Sequence, residues 1–258
     1  MSGAVEVMTG CEPVSHRGDS AFGVVLLHGF TGNPWSMRRV ADAMIAAGFH
    51  VELPLLPGHG TTVTDMYDTT WADWLGETER AITDIAQRTD RTVVVGQSMG
   101  GTLALAAALD RPELAGLVLI NPATRPRDAA VLEMIDDFIA DGMEIVPGEG
   151  SDIADPESRD VAYDGTPLRP VRSLMVDGLP PITDRFHELT MPLRLFTSRH
   201  DHVVEPGDSE HLAATYGGPV EHSWLERSYH VATLDFDREF VLAETAEFVA
   251  DLASEPAA

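Results

Sequence analysis

The chain has 258 residues, enough for one large domain or for one domain with an inserted subdomain, and 44% of them are hydrophobic. The 42 acidic residues outnumber the 17 basic ones, and the net charge of −25 argues against nucleic acid as a partner and against attraction to an anionic membrane surface. All 17 basic residues are arginines, which excludes a Schiff-base lysine, a lysine-containing phosphate loop and a serine–lysine nucleophile pair.

The start of the chain gives no sign of export. Met1–Pro13 lacks both the basic start and the long apolar run of a secretory signal, and no stretch of the sequence is long and apolar enough to span a bilayer. The one cysteine, Cys11, excludes an intramolecular disulfide and is compatible with a reducing compartment. We therefore expect a cytoplasmic protein without a transmembrane segment.

The first half of the chain alternates short apolar runs with helix-like segments. Asn33 can cap a helix that begins at Pro34, and Thr70 with Asp73 forms a capping-box pattern before a second helix. The predicted helices are 34–47, 71–88 and 99–109, and the predicted strands are 23–29, 50–55, 92–96 and 114–120.

The alternation resumes after a long interruption. Residues 122–191 contain a helical stretch at 129–140, a Gly/Pro/Asp-rich segment and short amphipathic pieces, but no clear strand. Alternating strands and helices favour a mostly parallel sheet flanked by helices. We predict an α/β core made of residues 1–121 and 192–258, with residues 122–191 as an inserted cap over the site. The later predicted strands are 193–198 and 220–226, and the later helices are 206–216 and 238–252.

The five residues Gly96–Gly100 read GQSMG and stand between a predicted strand and a predicted helix. In this context the pattern is typical of a nucleophile elbow, a sharp turn at the carboxyl end of a strand with a serine at its tip. Glycines on either side let the helix and the strand approach closely, because they carry no Cβ atom. We predict that Ser98 is a nucleophile rather than an ordinary turn residue.

A serine hydroxyl is a poor nucleophile at neutral pH and needs a base, together with a group that orients the base. On an elbow of this kind, the acid and then the histidine follow the serine along the chain. Asp201 lies in the loop after the predicted strand 193–198, and His230 lies in the loop after the next strand. The sequence therefore predicts a catalytic triad of Ser98, His230 and Asp201.

Other acidic residues and histidines fit other roles. His200 and His202 could suggest metal ligation, but no second His/Cys cluster has the spacing of metal ligands, so we expect no metal site. Asp235 and Asp237 follow the predicted base and fit ion pairs at the start of the last helix. Three more histidines are expected to be structural: His28, His59 and His222.

The oxyanion of a tetrahedral intermediate needs two preorganised hydrogen-bond donors. The backbone N–H of Met99, the residue after the predicted nucleophile, is the first candidate. The second is the N–H of Phe30 in the loop HGFTG at 28–32, which follows the first predicted strand. An ordinary glycine turn is the alternative interpretation of this loop.

Five segments together resemble the bacterial monoacylglycerol lipases and small carboxylesterases of the α/β-hydrolase superfamily: LLHGFTG, LPGHG, GQSMGG, SRHDHVV and SYHVATLD. The resemblance runs from about Gly23 to Phe248, and GSDIADPES and AYDGTP within the insertion also match. It implies an α/β-hydrolase fold with a cap, and a serine esterase that splits monoacylglycerols into fatty acid and glycerol.

The resemblance also implies roles for individual residues. Its motifs match Ser98, Asp201 and His230 as the triad and Phe30 and Met99 as the oxyanion donors. In that family a cap carboxylate contacts the glycerol moiety, and the matching position is Asp160, one methylene shorter than the family's glutamate. Apolar cap residues cover the acyl chain, with Ile145 and Val146 as candidates, and the cap offers a rim for transient membrane contact.

The predicted catalytic residues leave other functions open. A general carboxylesterase, a hydrolase of another acylated alcohol and an acyltransferase would use the same acyl-enzyme, and a ligand-binding protein of this fold can keep a full triad. Haloalkane dehalogenases and epoxide hydrolases need an aspartate at position 98 and are excluded. The predicted mechanism needs no metal and no organic cofactor, and the sequence does not indicate an oligomeric state.

Overall fold

The structure is a computed structural model that describes residues 6–148 and 151–254. The strands are β1 (Val14–His16), β2 (Phe22–Leu27), β3 (His50–Leu53), β4 (Arg91–Gln97), β5 (Gly116–Ile120), β6 (Ile145–Pro147), β7 (Gly165–Pro167), β8 (Leu193–Ser198) and β9 (Val220–Leu225). The helices are α1 (Pro34–Ala46), α2 (Trp71–Ala86), α3 (Met99–Leu109), α4 (Ala129–Ala140), α5 (Leu168–Ser173), α6 (Pro180–Thr183), α7 (Pro206–Thr215) and α8 (Arg238–Ser254). Short 3₁₀ or π turns cover Val63–Met66, Leu174–Gly178 and Phe186–Glu188.

Within the described residues, seven strands form a central sheet in the order β1–β3–β2–β4–β5–β8–β9. The edge strand β1 runs antiparallel to β3, and the other neighbours in this sheet are parallel. The carboxyl ends of parallel strands share one edge of a sheet, so the loops after β2, β4, β8 and β9 meet there. These loops carry Phe30, Ser98, Asp201 and His230. The predicted α/β-hydrolase fold, with a mostly parallel sheet flanked by helices, is confirmed.

Helix starts follow local sequence signals. The side-chain oxygen of Asn33 accepts a 2.9 Å hydrogen bond from the N–H of Trp35 at the start of α1. At the start of α2, the N–H of Thr70 donates to the Asp73 carboxylate at 2.8 Å, and the Thr70 hydroxyl does so at 2.7 Å. Both starts place a polar side chain on N–H groups that the helix itself leaves unpaired.

The sheet is buried on both faces, as expected for parallel strands covered by helices. Leu117 and Leu119 of β5 belong to one apolar cluster with residues of α2 and α3. Val118 and Ile120, which alternate with them, belong to a second cluster with residues of α1 and α8. Two helical layers therefore hold the strands rigidly, and the loops at the carboxyl edge are built on a stiff frame.

The segment that joins β5 to β8 contains two strands that the sequence did not reveal. The prediction of no clear strand in residues 122–191 was wrong, because β6 and β7 pair antiparallel with Val146 opposite Thr166. Each of these strands has three residues, too few for a period of two to be visible. The three-residue strand β1 was missed for the same reason.

The predicted insertion, residues 122–191, is packed unevenly. Of the 12 residues of α4, Ile135 is the buried one. Near the end of the segment, Ile182, Phe186 and Leu189 are buried in the apolar cluster that also contains residues of α2 and α3. The last turns before β8 therefore pack as part of the core, although the sequence places the boundary of the insertion at residue 191.

Candidate active site

Ser98 occupies a strained turn between β4 and α3. Its φ of 53° and ψ of −121° fall in a region of backbone conformation that residues other than glycine rarely adopt. The N–H of Ser98 donates to the carbonyl of Ile120 at 2.9 Å, which ties the turn to the end of β5. The side chain is buried but lines a pocket, so its hydroxyl is available to a bound molecule.

The glycines beside Ser98 are required by close backbone contacts. A Cβ atom on Gly96 would lie 2.3 Å from the carbonyl oxygen of Gly100. A Cβ atom on Gly100 would lie 2.2 Å from the carbonyl oxygen of Leu27 in β2. The start of α3 thus packs directly against two strands, and no larger residue fits at either position.

His230 and Asp201 are hydrogen-bonded. The Nδ1 atom of His230 lies 2.8 Å from Oδ2 of Asp201, and the side chains are 9% and 1% exposed. The other carboxylate oxygen of Asp201 accepts the N–H groups of Val203 and Val204, both at 2.8 Å. A carboxylate with these partners is an acceptor, so Nδ1 of His230 donates and Nε2 is left free to accept a proton.

The pocket that contains Ser98 also contains His230 and has a volume of about 450 Å³. The loop after β2 contributes Phe30 to its wall, and the inserted segment contributes Asp152 and Asp160. Polar groups on this wall can bind an alcohol or a small polar moiety close to the serine hydroxyl.

The loop after β2 lies directly against Ser98. A Cβ atom on Gly29 would be 3.3 Å from Cβ of Ser98, and the next residue, Phe30, lines the pocket. Thr31 adopts a φ of 60°, so the loop turns sharply here. Met99 is the first residue of α3, where backbone N–H groups have no partner within the helix. The two predicted oxyanion donors therefore lie on opposite sides of Ser98 in the chain and next to it in space.

His28 holds the peptide between Gly29 and Phe30. Its Nδ1 atom lies 3.0 Å from the carbonyl oxygen of Gly29, and its Nε2 atom accepts the N–H of Leu56 at 3.2 Å. The acceptor role of Nε2 makes Nδ1 the protonated nitrogen. The N–H of Gly32 also donates to the Gly29 carbonyl, at 3.2 Å. With its carbonyl held from two sides, the Gly29–Phe30 peptide has a defined orientation.

His28 and His59 form an edge-to-face pair beneath this loop, with ring centroids 4.9 Å apart. Burial, followed by the nearby His59, holds the pKa of His28 well below its ordinary value. Burial also lowers the pKa of His59 to about 4, and its Nε2 atom has no hydrogen-bond partner among the described residues. Both rings are therefore neutral at physiological pH and support the loop as uncharged groups.

The three residues suggested for substrate contact are placed differently. Asp160 lies on the pocket wall, where its carboxylate accepts the Ser151 hydroxyl at 2.7 Å and the Val161 N–H at 2.8 Å. Ile145 and Val146 lie in β6, which pairs with β7; Gly165 and Thr166 of β7 line the pocket, whereas Ile145 and Val146 are not among the described residues that line it. The structure thus brings Asp160 into the pocket with Ser98 and leaves the other two beside it.

Asn121 supports the site and was missed by the sequence analysis. It follows β5 with a φ of 46°, and its side-chain N–H₂ donates to the His230 carbonyl at 2.8 Å and to the Ser198 hydroxyl at 3.0 Å. Its side-chain oxygen accepts the Ser198 N–H at 2.7 Å. The signal that could have identified it is an Asn–Pro pair directly after a buried strand, since asparagine tolerates positive φ.

The expectation that Asp235 forms an ion pair at the start of the last helix was wrong. Its buried carboxylate instead accepts backbone N–H groups from Tyr229 at 2.8 Å and from Ala154 at 2.8 Å. Asp237 does form an ion pair, with Arg227 at 3.2 Å, directly before α8. The difference arises because the inserted segment packs over Asp235 and supplies donors that a local sequence pattern does not show.

Neither a cluster of metal ligands nor a membrane-spanning helix occurs in the part of the chain that the structure describes. Among residues 6–148 and 151–254, no group of three or more His, Cys, Asp or Glu side chains could hold a metal ion. His202, one of the two histidines considered as ligands, bonds to Asp152 at 2.8 Å. No helix within these residues has the length and apolar character needed to cross a bilayer.

Known proteins resemble this chain over nearly its whole length. The sequence matches the family described as serine aminopeptidase, S33, over residues 19–237. It is 36% identical over 255 residues to the thermostable monoacylglycerol lipase of a Bacillus species, covering 97% of this chain and 98% of that protein. It is 25% identical over 240 residues to a carboxylesterase of Bacillus subtilis, covering 91% and 94%.

A solved structure from work on LipS and LipT, two metagenome-derived lipolytic enzymes, has a TM-score of 0.89 and 37% identity, covering 95% of this chain and 100% of that one. The predicted resemblance to monoacylglycerol lipases and small carboxylesterases is thus confirmed. The chain belongs to the serine aminopeptidase S33 family and is a serine hydrolase of the α/β-hydrolase superfamily.

Proposed function

We propose that this protein is a serine esterase that hydrolyses monoacylglycerols to fatty acid and glycerol. The observation that carries the proposal is the 2.8 Å hydrogen bond between His230 and Asp201 beside the pocket that holds Ser98. The similarity to a monoacylglycerol lipase over 97% of the chain supports the choice of substrate.

Ser98 is the nucleophile in this proposal. His230 accepts the proton of the Ser98 hydroxyl as the oxygen attacks the ester carbonyl, and then protonates the departing alcohol oxygen. Asp201 keeps Nδ1 of His230 protonated, and thus Nε2 free to accept, and it stabilises the imidazolium that forms. Water then hydrolyses the acyl-enzyme through the same groups, which restores the free serine.

The backbone N–H groups of Phe30 and Met99 stabilise the oxyanion of the tetrahedral intermediates. Removing one such donor typically lowers kcat by about 10²–10³-fold. The orientation of the Gly29–Phe30 peptide by His28 supports this role, because a donor that is already aligned needs no rearrangement during the reaction.

The glycerol moiety of the substrate binds to the polar part of the pocket. Asp160 accepts a hydrogen bond from a glycerol hydroxyl there, and the nearby Asp152 adds to the acidic character of the wall. This wall favours an uncharged, hydroxyl-rich alcohol over an anionic one, since two carboxylates repel a phosphate or a carboxylate. Ile145 and Val146 remain the predicted contacts of the acyl chain.

The predicted insertion, residues 122–191, acts as the cap over this pocket, apart from the last turns before β8, which pack in the core. Among the described residues of this segment, three large apolar side chains are exposed, Met134, Met143 and Val176, with exposed fractions of 49%, 42% and 36%. These side chains support transient contact of the cap with the apolar part of a lipid surface. Binding to anionic headgroups is opposed by the net charge of −25. The cytoplasmic location remains a prediction.

A general carboxylesterase is the second candidate function. The similarity to a carboxylesterase of Bacillus subtilis, at 25% identity over 91% of this chain, supports it. The same triad serves both reactions, so the pocket under the cap decides between them.

The deciding experiment measures fatty-acid release from monoacylglycerols of increasing chain length, from diacylglycerols and triacylglycerols, and from a short p-nitrophenyl ester. Ser98→Ala is the control, with an expected loss of about 10⁶-fold. Preferential, Ser98-dependent cleavage of monoacylglycerols is the expected result. Cleavage of the short ester alone would favour the carboxylesterase, and no turnover would favour an acyltransferase or a binding protein.

A further inference from the structure

The carboxylate of Asp152 joins the two loops that carry Asp201 and His230. Its Oδ2 atom accepts the backbone N–H of His202 and that of His230, both at 3.1 Å. Its Oδ1 atom lies 2.8 Å from Nδ1 of His202. Asp152 belongs to the inserted segment, so a side chain from outside the central sheet holds together two loops that follow β8 and β9.

The hydrogen bonds around Asp152 form a closed ring. Asp201 accepts the Nδ1 proton of His230 at 2.8 Å, and its chain neighbour His202 donates its N–H to Asp152. Asp152 also accepts the N–H of His230, and this hydrogen bond closes the ring. A displacement of Asp152 therefore changes the backbone positions of the acid and of the base at the same time.

The position of Asp152 is itself well defined. Its backbone carbonyl accepts the N–H of Val231 at 3.1 Å, and its side chain is 16% exposed. Two and three residues further along, Ala154 and Asp155 donate their N–H groups to the buried Asp235 at 2.8 Å and 2.9 Å. The segment 152–155 is thus fixed against the loop on the carboxyl-terminal side of His230.

We propose that Asp152 is a positioning residue, which sets the separation and alignment of Asp201 and His230 through their backbones. The proposal rests on the proposed function of these two residues with Ser98. Displacement of a catalytic group by about 1 Å can lower a rate by about 10²-fold, so a single anchor of this kind has a large effect.

Two substitutions at this position separate geometry from charge. Asp152→Leu keeps the branched shape of the side chain and replaces both acceptor oxygens by methyl groups, so kcat for a short p-nitrophenyl ester should fall about 10- to 100-fold. Asp152→Asn keeps one oxygen, and one is sufficient because both backbone N–H groups bond to the same Oδ2 atom. The asparagine variant should therefore lose clearly less kcat than the leucine variant, so Asp152→Asn serves as a partial rescue and not as an unchanged control.

Ser158→Ala is the matched control. The Ser158 hydroxyl donates to the carbonyl of Leu234 at 2.6 Å, which joins the same inserted segment to the same loop without contacting the acid or the base. Its kcat should stay within about twofold of the wild-type value. Circular dichroism and thermal unfolding establish that each variant is folded.

A second measurement does not depend on turnover. The proton on Nδ1 of His230 should give a downfield NMR signal, assigned by its loss in His230→Gln. This signal should persist in Asp152→Asn and Ser158→Ala and should shift or vanish through exchange in Asp152→Leu. If the wild-type protein shows no Ser98-dependent turnover, the proposed function fails, and this signal still tests the role of Asp152.

Three results would overturn the proposal. The first is an Asp152→Leu variant with an unchanged NMR signal and a kcat, where turnover is measurable, within about twofold of wild type. The second is an equal loss of kcat in Ser158→Ala, which would show a general effect of docking the inserted segment. The third is an asparagine variant as impaired as the leucine variant, which would show that charge and not acceptor geometry matters.

Discussion

Thr233 donates a 2.9 Å hydrogen bond to the side-chain oxygen of Gln97, and both residues are buried. Gln97 directly precedes Ser98, and Thr233 follows His230 by three residues. The bond therefore connects the loop of the proposed base to the strand end that carries the proposed nucleophile. A connection of this kind fixes the relative position of the proposed nucleophile and the proposed base in the absence of substrate.

We expect Thr233→Val to destabilise the protein by about 1–3 kcal/mol, because it leaves the Gln97 oxygen buried without its donor. The free energy of unfolding in urea measures this effect. Thr233→Ser keeps the hydroxyl and serves as the control. A Thr233→Val variant with the wild-type free energy of unfolding would show that the hydrogen bond contributes nothing. The serine variant also loses a buried methyl group, which costs about 1 kcal/mol and is allowed for in the comparison.

We expect Gly100→Ala to destabilise the fold by at least about 3 kcal/mol and to abolish esterase activity. The added Cβ atom would lie 2.2 Å from the Leu27 carbonyl oxygen and 2.8 Å from the His28 carbonyl oxygen, and these backbone atoms would have to shift to make room for it. Thermal unfolding and p-nitrophenyl ester turnover measure the two effects.

Gly76 provides the matched control, because it is also a helical glycine and a Cβ atom there would meet nothing within 4 Å. Gly76→Ala should stabilise the protein by about 0.5–1 kcal/mol, since alanine restricts the unfolded chain more than glycine does. A stable and active Gly100→Ala variant would contradict the packing described for the start of α3.

The stability of the protein should fall in mild acid because of His59. Burial lowers the pKa of His59 to about 4 from an ordinary value of 6.5. Between these values the unfolded chain binds a proton that the folded chain does not, so the contribution of His59 is complete above pH 6.5 and is lost as the pH falls toward 4. From about pH 7.5 to about pH 5 the expected loss is about 2 kcal/mol.

Urea unfolding of the wild type and of His59→Gln at both pH values tests this expectation. Glutamine does not titrate, so the variant should lose about 2 kcal/mol less than the wild type over the same interval. The same pH dependence in both proteins would mean that His59 is protonated equally easily in the folded and unfolded states.

Asp160→Ala should raise KM for monoacylglycerols about tenfold and leave KM for a short p-nitrophenyl ester unchanged. The estimate corresponds to the loss of one charge-assisted hydrogen bond to a glycerol hydroxyl. Steady-state kinetics with both substrates measure it, and the short ester serves as the internal control. A parallel rise in both KM values would assign Asp160 a structural role, through its bonds to Ser151 and Val161.

Much of the proposed site could be predicted because each part depends on a short stretch of sequence. The turn at Ser98 needs only a strand, two glycines and a small-residue helix, all within 92–109. Asp201 and His230 each follow a recognisable strand, and parallel strands deliver the residues after them to the same edge of the sheet. The order of the parts along the chain was therefore enough to group them.

The partners of the groups that support the site could not be predicted, because they lie far away in the sequence. Asp152 and His230 are separated by 78 residues, and Asn121 and His230 by 109. Aspartate and asparagine are usually exposed. Whether one of them instead forms a hydrogen bond with a distant backbone group depends on how residues 122–191 and the strand ends pack together. Asp235 was misinterpreted for this reason.

The sequence by itself determined the fold class and the elements that carry the proposed triad, because these follow from local periodicity, capping and turn chemistry. The tertiary structure alone decided which groups hold that triad in place and which line its pocket: Asp152 and Asp160 reach the pocket, whereas Ile145 and Val146 stay beside it. Hydrogen-bond partners and pocket walls arise from the packing of distant segments, and no short stretch of sequence records that packing.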